Sequence, residues 1–142
     1  MYKQILIPLE NSAADQTIIN HIRPLAKLLK SGLVLVHVAD GYPARLQNEL
    51  NLEDSEEINN DQHYLEKIKE EFIKEGFSVK IYLVQGEPAD EILAIVEKEN
   101  CDLIAMSTHG HRFLKDIILG SVAESIRHRT DIPILMIRAS TK

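Results

Sequence analysis

The residues from Ser107 to Glu124, STHGHRFLKDIILGSVAE, have types and spacing that could hold a phosphate. Gly120 is followed by Ser121, and Glu124 comes three residues after that serine. Serine with glutamate three residues later, at the start of an apolar run, is the capping-box pattern and predicts a helix that begins at Ser121. Free N–H groups at a helix N-terminus also bind anions, so a cap and a phosphate site would use the same atoms. The local pattern alone favours the cap.

Gly110 lies between His109 and His111 where an apolar run ends, and a turn there would use the backbone freedom of glycine. The two histidines form an H-x-H pair, which raises the question of a metal. Extended backbone would point the two rings apart, and no cysteine or third histidine is close in sequence, so we predict no metal site made by the protein. The sequence contains no P-loop, no G-x-G-x-x-G and no G-x-S-x-G pattern, and it predicts no catalytic constellation.

Five short runs predict β-strands, and segments with helical spacing lie between them. The runs are Ile5–Ile7, Leu33–Val38, Ser78–Val84, Leu103–Met106 and Ile134–Ile137. The third run alternates and predicts a strand nearer a sheet edge, whereas the others are continuous, which is typical of strands covered on both faces. The alternating order predicts an α/β fold with a doubly wound, five-stranded parallel sheet and helices on both faces.

Ligands of open α/β sheets bind beyond the carboxyl ends of the strands, near the point where the strand order reverses. This rule nominates Pro8–Ser12, His37–Asp40 and the segment from Ser107 onward as the places where chemistry would occur.

The positions of several proline and glycine residues agree with the predicted elements. Pro88 is expected in the first turn of the third helix, and Gly32 and Gly76 are expected to follow the first two helices. Pro24 lies inside the first helical pattern and should kink that helix. Residues 41–61 are acidic and rich in asparagine, which predicts an exposed loop.

Composition limits the classes of function. A chain of 142 residues predicts one domain, residues 1–142. Its net charge of −6, with 16 scattered Lys and Arg, argues against a general nucleic-acid-binding protein. The single cysteine, Cys101, fits a reducing cytosol, and its place ahead of an apolar strand predicts burial rather than reactivity. No apolar run approaches the ~20 residues of a membrane span, so we expect a soluble, cytoplasmic protein without membrane insertion.

Taken together, these segments resemble the universal stress protein family over essentially the whole chain. The resemblance rests on ILIPLENSAAD, LVLVHVAD, GEPADEIL and DLIAMSTHG…LGSVAESIRHRTDIPILMIR. The nucleotide-binding branch carries glycine, two residues, glycine, nine residues, glycine, then serine or threonine. Gly110 matches the second glycine, and Gly120 with Ser121 matches the end. The resemblance implies an adenine nucleotide alpha hydrolase-like fold with the strand order 3-2-1-4-5.

The resemblance also implies a set of residues that bind ATP, with Mg²⁺ as a candidate companion held through the phosphates. Glu10 and the backbone of Val38 would hold the adenine and ribose, and the β- and γ-phosphates would meet the start of the last helix. The implied nucleotide-binding residues are Pro8, Glu10, Val38, Met106, Ser107, Gly110, Gly120, Ser121 and Val122. Two of them depart from the family pattern: Ser107 stands at the position of the first glycine, and Glu10 replaces an aspartate.

The family commonly dimerises by pairing the last strands of two subunits, and an apolar edge strand here would otherwise be an aggregation hazard. The strand expected to pair is Pro133, Ile134, Leu135, Met136, Ile137 and Arg138. We therefore expect a homodimeric, ATP-binding regulator of stress responses with an unidentified protein partner. Two alternatives stay open: an interaction module of the same family that does not bind ATP, and a slow ATP hydrolase.

Overall fold

The computed structural model describes residues 1–40, 51–108 and 116–139, with side chains described except at residues 40, 51–55, 57 and 116–120. Five strands alternate with four helices within these ranges. In chain order they are β1 (Gln4–Pro8), α1 (Ala14–Leu29), β2 (Gly32–Asp40), α2 (Asn51–Lys74), β3 (Val79–Gly86), α3 (Pro88–Glu99), β4 (Leu103–Thr108), α4 (Asp116–Arg129) and β5 (Ile134–Arg138).

The strands form one parallel sheet in the order β3-β2-β1-β4-β5, which confirms the predicted fold and strand order. β3 lies at one edge of the sheet, as its alternating sequence predicted, and β5 lies at the other. The central strands are covered on both faces, and this explains their continuous apolar runs.

Two hydrophobic layers enclose the sheet because successive side chains of a strand point to opposite faces. The layer under α1 and α2 includes Ile5, Ile7, Ile18, Ile22, Leu33, Leu35, Leu65 and Phe72. The layer under α3 and α4 includes Leu6, Val34, Val36, Ile92, Ile95, Ile104, Met106 and Ile126. Cys101 is buried in the second layer, which confirms its predicted packing role.

Two of the three proline and glycine positions that were predicted at helix ends are confirmed. Pro88 lies in the first turn of α3, where the Glu87 side chain accepts hydrogen bonds from the N–H groups of the next turn. Gly76 follows α2 with a φ of +96°, a conformation that favours glycine. The prediction for Gly32 is wrong: α1 ends at Leu29 and is capped by Lys30, which has a φ of 56°, and Gly32 is the first residue of β2. α1 continues through Pro24.

Two predictions about the edges of helices are wrong. α2 begins at Asn51, so the second half of the expected 41–61 loop is helical, while residues 41–50 lie outside the described residues. α4 begins at Asp116 rather than at Ser121, so Ser121 is not its cap. A glycine within a helix, as at Gly120, costs only about 1 kcal/mol and does not prevent the earlier start.

Candidate functional site

The strand order reverses between β1 and β4, because the chain leads from β1 outward to β2 and β3 and from β4 outward to β5. Such a switch point opens a crevice at the carboxyl ends of the two strands. The turn from β1 into α1 and the end of β4 line this crevice. Two of the three nominated stretches, Pro8–Ser12 and the segment from Ser107, therefore begin at this crevice.

The turn after β1 is organised by Asp15, in the first turn of α1. Its carboxylate accepts hydrogen bonds from the backbone N–H groups of Glu10 at 3.0 Å, Asn11 at 2.9 Å and Ser12 at 3.4 Å. Asn11 has a φ of 62°, which lets three successive N–H groups converge on one carboxylate. The backbone of this turn is therefore fixed by a single buried side chain.

Side chains of the same turn also bond to one another. The Ser12 hydroxyl donates to Glu10 Oε1 at 2.6 Å and accepts from the N–H of Ala14 at 3.2 Å. The Asp15 carboxylate thus accepts the N–H of Ser12, while the Ser12 hydroxyl accepts an N–H from the first turn of α1, an arrangement similar to a capping box. The S-x-x-D pattern Ser12–Asp15 was present in the sequence, and our sequence reasoning applied the rule at Ser121 and missed it here.

His37 fastens the end of β2 to this turn. Its Nδ1 lies 2.8 Å from the carbonyl oxygen of Leu9, and its Nε2 lies 3.1 Å from a carboxylate oxygen of Asp61 in α2. Asp61 also accepts a hydrogen bond from the Asn11 side chain at 3.0 Å. Because Asp61 is distant in sequence and fell within the expected loop, no local signal pointed to it.

Val38 comes next in β2 and points to the opposite face, where it packs partly buried against the second hydrophobic layer. Its backbone pairs in register with Val84 of β3. Pro8 is half-buried at the end of β1, opposite Val36. Both residues therefore lie towards the carboxyl ends of their strands, as the strand-end rule predicted.

At the end of β4, Met106 and Ser107 point to different faces. Met106 is fully buried in the layer under α3 and α4. Ser107 is also buried, and its hydroxyl donates a hydrogen bond to the carbonyl oxygen of Ala14 at 2.7 Å. The Ser107 side chain is thus used to join β4 to the first turn of α1.

The residues expected to hold the phosphates are described only in part. Gly110 lies outside the described residues. Gly120 and Ser121 lie in the second turn of α4, and Val122 is buried under it. The structure therefore brings Pro8, Glu10 and Ser107 to one end of the sheet.

Burial shifts the pKa of the central carboxylate. It raises the pKa of Asp15, even though the Tyr64 hydroxyl and three N–H groups favour the ionised form. The Tyr64 hydroxyl donates to Asp15 at 2.5 Å, and burial together with that bond raises the pKa of Tyr64. The cause of both shifts is that Asp15 is buried and Tyr64 is half-buried, which limits the access of water to their hydrogen bond.

Two kinds of feature are absent from residues 1–40, 51–108 and 116–139. No group of three or more His, Cys, Asp or Glu in these ranges could hold a metal ion. None of the described helices is long and apolar enough to cross a membrane.

Comparison with known proteins places the chain. The sequence model of the Universal stress protein family matches residues 1–138. The chain belongs to the universal stress protein family. This universal stress protein is 32% identical to Universal stress protein MJ0577 of Methanocaldococcus jannaschii, over 97% of this chain and 96% of that protein.

Solved structures of the family agree with the fold of this universal stress protein. The structure of MJ0577 matches with a TM-score of 0.86 at 32% identity and covers 100% of this chain and 99% of that one. A universal stress protein of Archaeoglobus fulgidus in complex with dAMP matches with a TM-score of 0.65 at 21% identity, over 96% of this chain and 98% of that one. A universal stress protein in complex with cAMP matches with a TM-score of 0.69 at 15% identity, over 98% of each chain.

Proposed function

We propose that this universal stress protein is a homodimeric, cytoplasmic regulator that binds an adenine nucleotide, with ATP as the favoured ligand. The observation that carries the proposal is the hydrogen bond from Ser107 to Ala14. Ser107 stands where the nucleotide-binding branch of the family has a glycine, and its side chain would crowd the ligand if it pointed into the crevice. Because the Ser107 hydroxyl is hydrogen-bonded to α1, the ligand would contact the backbone at the end of β4 and not this side chain.

The nucleoside end of the ligand is assigned to the turn after β1. The Glu10 carboxylate, with one oxygen hydrogen-bonded to Ser12, would accept hydrogen bonds from ribose hydroxyls, which a carboxylate does well because it is an acceptor only. Glu10 is one methylene longer than the family's aspartate, so the sugar would lie further from β1. The backbone of Val38 would meet the adenine.

The two nucleotide complexes among the structural relatives support this choice of ligand class. The ligands dAMP and cAMP share an adenine, a sugar and a phosphate. Since those proteins are only 21% and 15% identical to this chain, they suggest a ligand class without locating a site, and the assignment of the site depends on this chain's own Glu10, Ser12 and Ser107.

The β- and γ-phosphates of ATP are assigned to the start of α4, with Mg²⁺ held through the phosphates. Because α4 begins at Asp116, the N–H groups without a helical partner are those of its first turn. The N–H of Gly120 is the fifth of the helix, so a phosphate contact at Gly120, Ser121 and Val122 requires the helix to begin later in the complex.

The dimer is assigned to the free edge of β5. Met136 exposes 44% of its surface there, and Ile134, Leu135 and Ile137 are only half-buried. Pairing two such edges would satisfy the outward backbone groups and cover the apolar side chains.

Mass spectrometry of small molecules released from freshly purified protein tests the ligand. We expect an adenine nucleotide at a level comparable to the protein, and a reduced level from Glu10→Ala purified in parallel. Release of no nucleotide from the wild type, together with no binding of added ATP, would refute the proposal. The mechanism assigns no catalytic residue.

A further inference from the structure

Asp15 is a buried carboxylate with a complete set of local partners. Only 2% of its surface is exposed, although aspartate is rarely buried without a partner. Its Oδ1 accepts the N–H of Glu10, and its Oδ2 accepts the N–H groups of Asn11 and Ser12 and the hydroxyl of Tyr64. Every one of these bonds fixes the turn that carries Glu10.

The three converging N–H groups would by themselves bind an anion such as a phosphate. Asp15 occupies that position from within the chain, so the turn after β1 is closed to phosphate. A nucleotide in the crevice must then direct its phosphates towards α4 and its sugar towards this turn. Asp15 consequently selects which end of the ligand the turn can meet.

α2 supports the turn from outside through two residues one helical turn apart. Tyr64 donates its hydroxyl to Asp15 at 2.5 Å, and Asp61 accepts from the Asn11 side chain at 3.0 Å. The backbone of Glu10 is therefore held between the first turn of α1 and one face of α2. Ser12 then orients the Glu10 carboxylate at 2.6 Å.

We propose that Asp15 is the positioning residue that sets where Glu10 presents its carboxylate to the sugar, and that it thereby creates a preference for ribose over 2′-deoxyribose. This inference rests on the proposed function. A carboxylate held in one place can accept from both ribose hydroxyls, whereas 2′-deoxyribose offers only one of them. If the turn relaxes, the second hydrogen bond is the first to be lost.

The test is the ratio of dissociation constants for 2′-deoxy-ATP and ATP, measured by calorimetry in the presence of Mg²⁺. We expect the wild type to prefer ATP roughly tenfold, the effect of one hydrogen bond to a charged group. Asp15→Asn places an NH₂ group against backbone N–H donors, so the ratio should fall to about 2 or below, as in Glu10→Ala.

Asp102→Asn is the matched control. Asp102 accepts the N–H groups of Lys3 at 3.0 Å and Gln4 at 3.1 Å, but it does so at the opposite end of β1. The Asp102→Asn substitution removes a carboxylate that fixes backbone outside the crevice. The ratio of the dissociation constants for 2′-deoxy-ATP and ATP should therefore stay at the wild-type value. A merely structural loss would affect both variants alike.

The outcomes separate this inference from the proposed function. No binding of ATP by the wild type refutes the proposed function itself. Binding of ATP without a ribose preference, or an unchanged preference in folded Asp15→Asn, overturns the role of Asp15. If that variant does not fold, Tyr64→Phe is used, since it removes only one bond to Asp15. Its ratio should then fall about threefold, and an unchanged ratio also overturns the inference.

Discussion

The Ser107 hydroxyl donates a hydrogen bond to the carbonyl oxygen of Ala14 at 2.7 Å, and both residues are buried. This bond joins the end of β4 to the first turn of α1 across the crevice between β1 and β4. The serine that departs from the family's glycine pattern therefore has a local structural role.

Replacing Ser107 should change stability more than nucleotide binding. Ser107→Ala removes the donor from a buried carbonyl and should lower the free energy of unfolding by about 1 to 2 kcal/mol. Ser107→Gly should cost about 0.5 to 1 kcal/mol more, since glycine weakens a strand. In both variants the dissociation constant for ATP should stay within about threefold of wild type, because the lost hydroxyl does not contact the ligand. Denaturant unfolding and calorimetry measure the two quantities.

Ser31→Ala provides the control for Ser107, because the buried Ser31 hydroxyl donates to the Tyr2 carbonyl oxygen at 2.5 Å at the other end of the sheet. It should lose similar stability and leave binding unchanged. A gain in ATP affinity of tenfold or more in Ser107→Gly alone would show that the serine obstructs the site.

Asp15 and Asp102 should give stability opposite dependences on pH. Burial raises the pKa of Asp15 above its ordinary value of 3.8, so the stability it contributes is present below that value and is lost as pH rises through the raised pKa. Burial alone would raise the pKa of Asp102, but the hydrogen bonds from the N–H groups of Lys3 and Gln4 outweigh burial, so the pKa lies below 3.8. Its contribution is present above 3.8 and is lost as pH falls through the lowered pKa.

The measurement is the unfolding free energy of wild type minus that of Asp15→Asn, and likewise for Asp102→Asn, from about pH 2 to 7. The difference for Asp15→Asn should fall with rising pH, and the difference for Asp102→Asn should rise. Each unit of pKa shift corresponds to about 1.4 kcal/mol. Two differences that change with pH in the same direction would contradict the assignment.

Cys101 should be unreactive in the folded protein. Burial, together with the charges of Glu99 and Asp102, raises the pKa of its thiol to about 12. Since the thiolate is the nucleophile, alkylation at pH 8 should be roughly a thousandfold slower than in the unfolded chain in urea. Mass spectrometry of iodoacetamide-treated protein measures both rates. Folded and unfolded rates within about tenfold of each other would show that the thiol is accessible.

Met136 should control dimerisation. Met136→Glu places a charge on the free edge of β5, and light scattering should show a shift towards monomer. Leu28→Glu is the control, because Leu28 is also an exposed apolar residue, at 79%, but lies on α1. A dimer unaffected by Met136→Glu would show that the interface does not lie at this edge.

The sequence predicted the elements whose signals are periodic and local. Continuous apolar runs predicted the buried strands, and Pro88 lies in the first turn of α3 as expected. The prediction of a loop was wrong for residues 51–61, because their acidic composition concealed a helix. That helix is held by contacts distant in sequence, from Asp61 to His37 and Asn11.

The candidate site was predictable in place and only partly in detail. The strand-end rule located Glu10 and Ser107 correctly at one end of the sheet. Asp15 was missed because the S-x-x-D pattern that joins it to Ser12 was not applied there, and its partner Tyr64 is 49 residues away. The helix start at Ser121 was wrong because a capping pattern states only which residues could cap, and the chain began α4 earlier.

Titration of nucleotide-free protein with ATP and Mg²⁺ in a calorimeter tests the central claim most directly. We predict saturable binding of about one ATP per chain, with a dissociation constant below about 1 mM, that is weakened by Glu10→Ala. No binding heat at millimolar ATP would contradict the claim that this crevice is a nucleotide site.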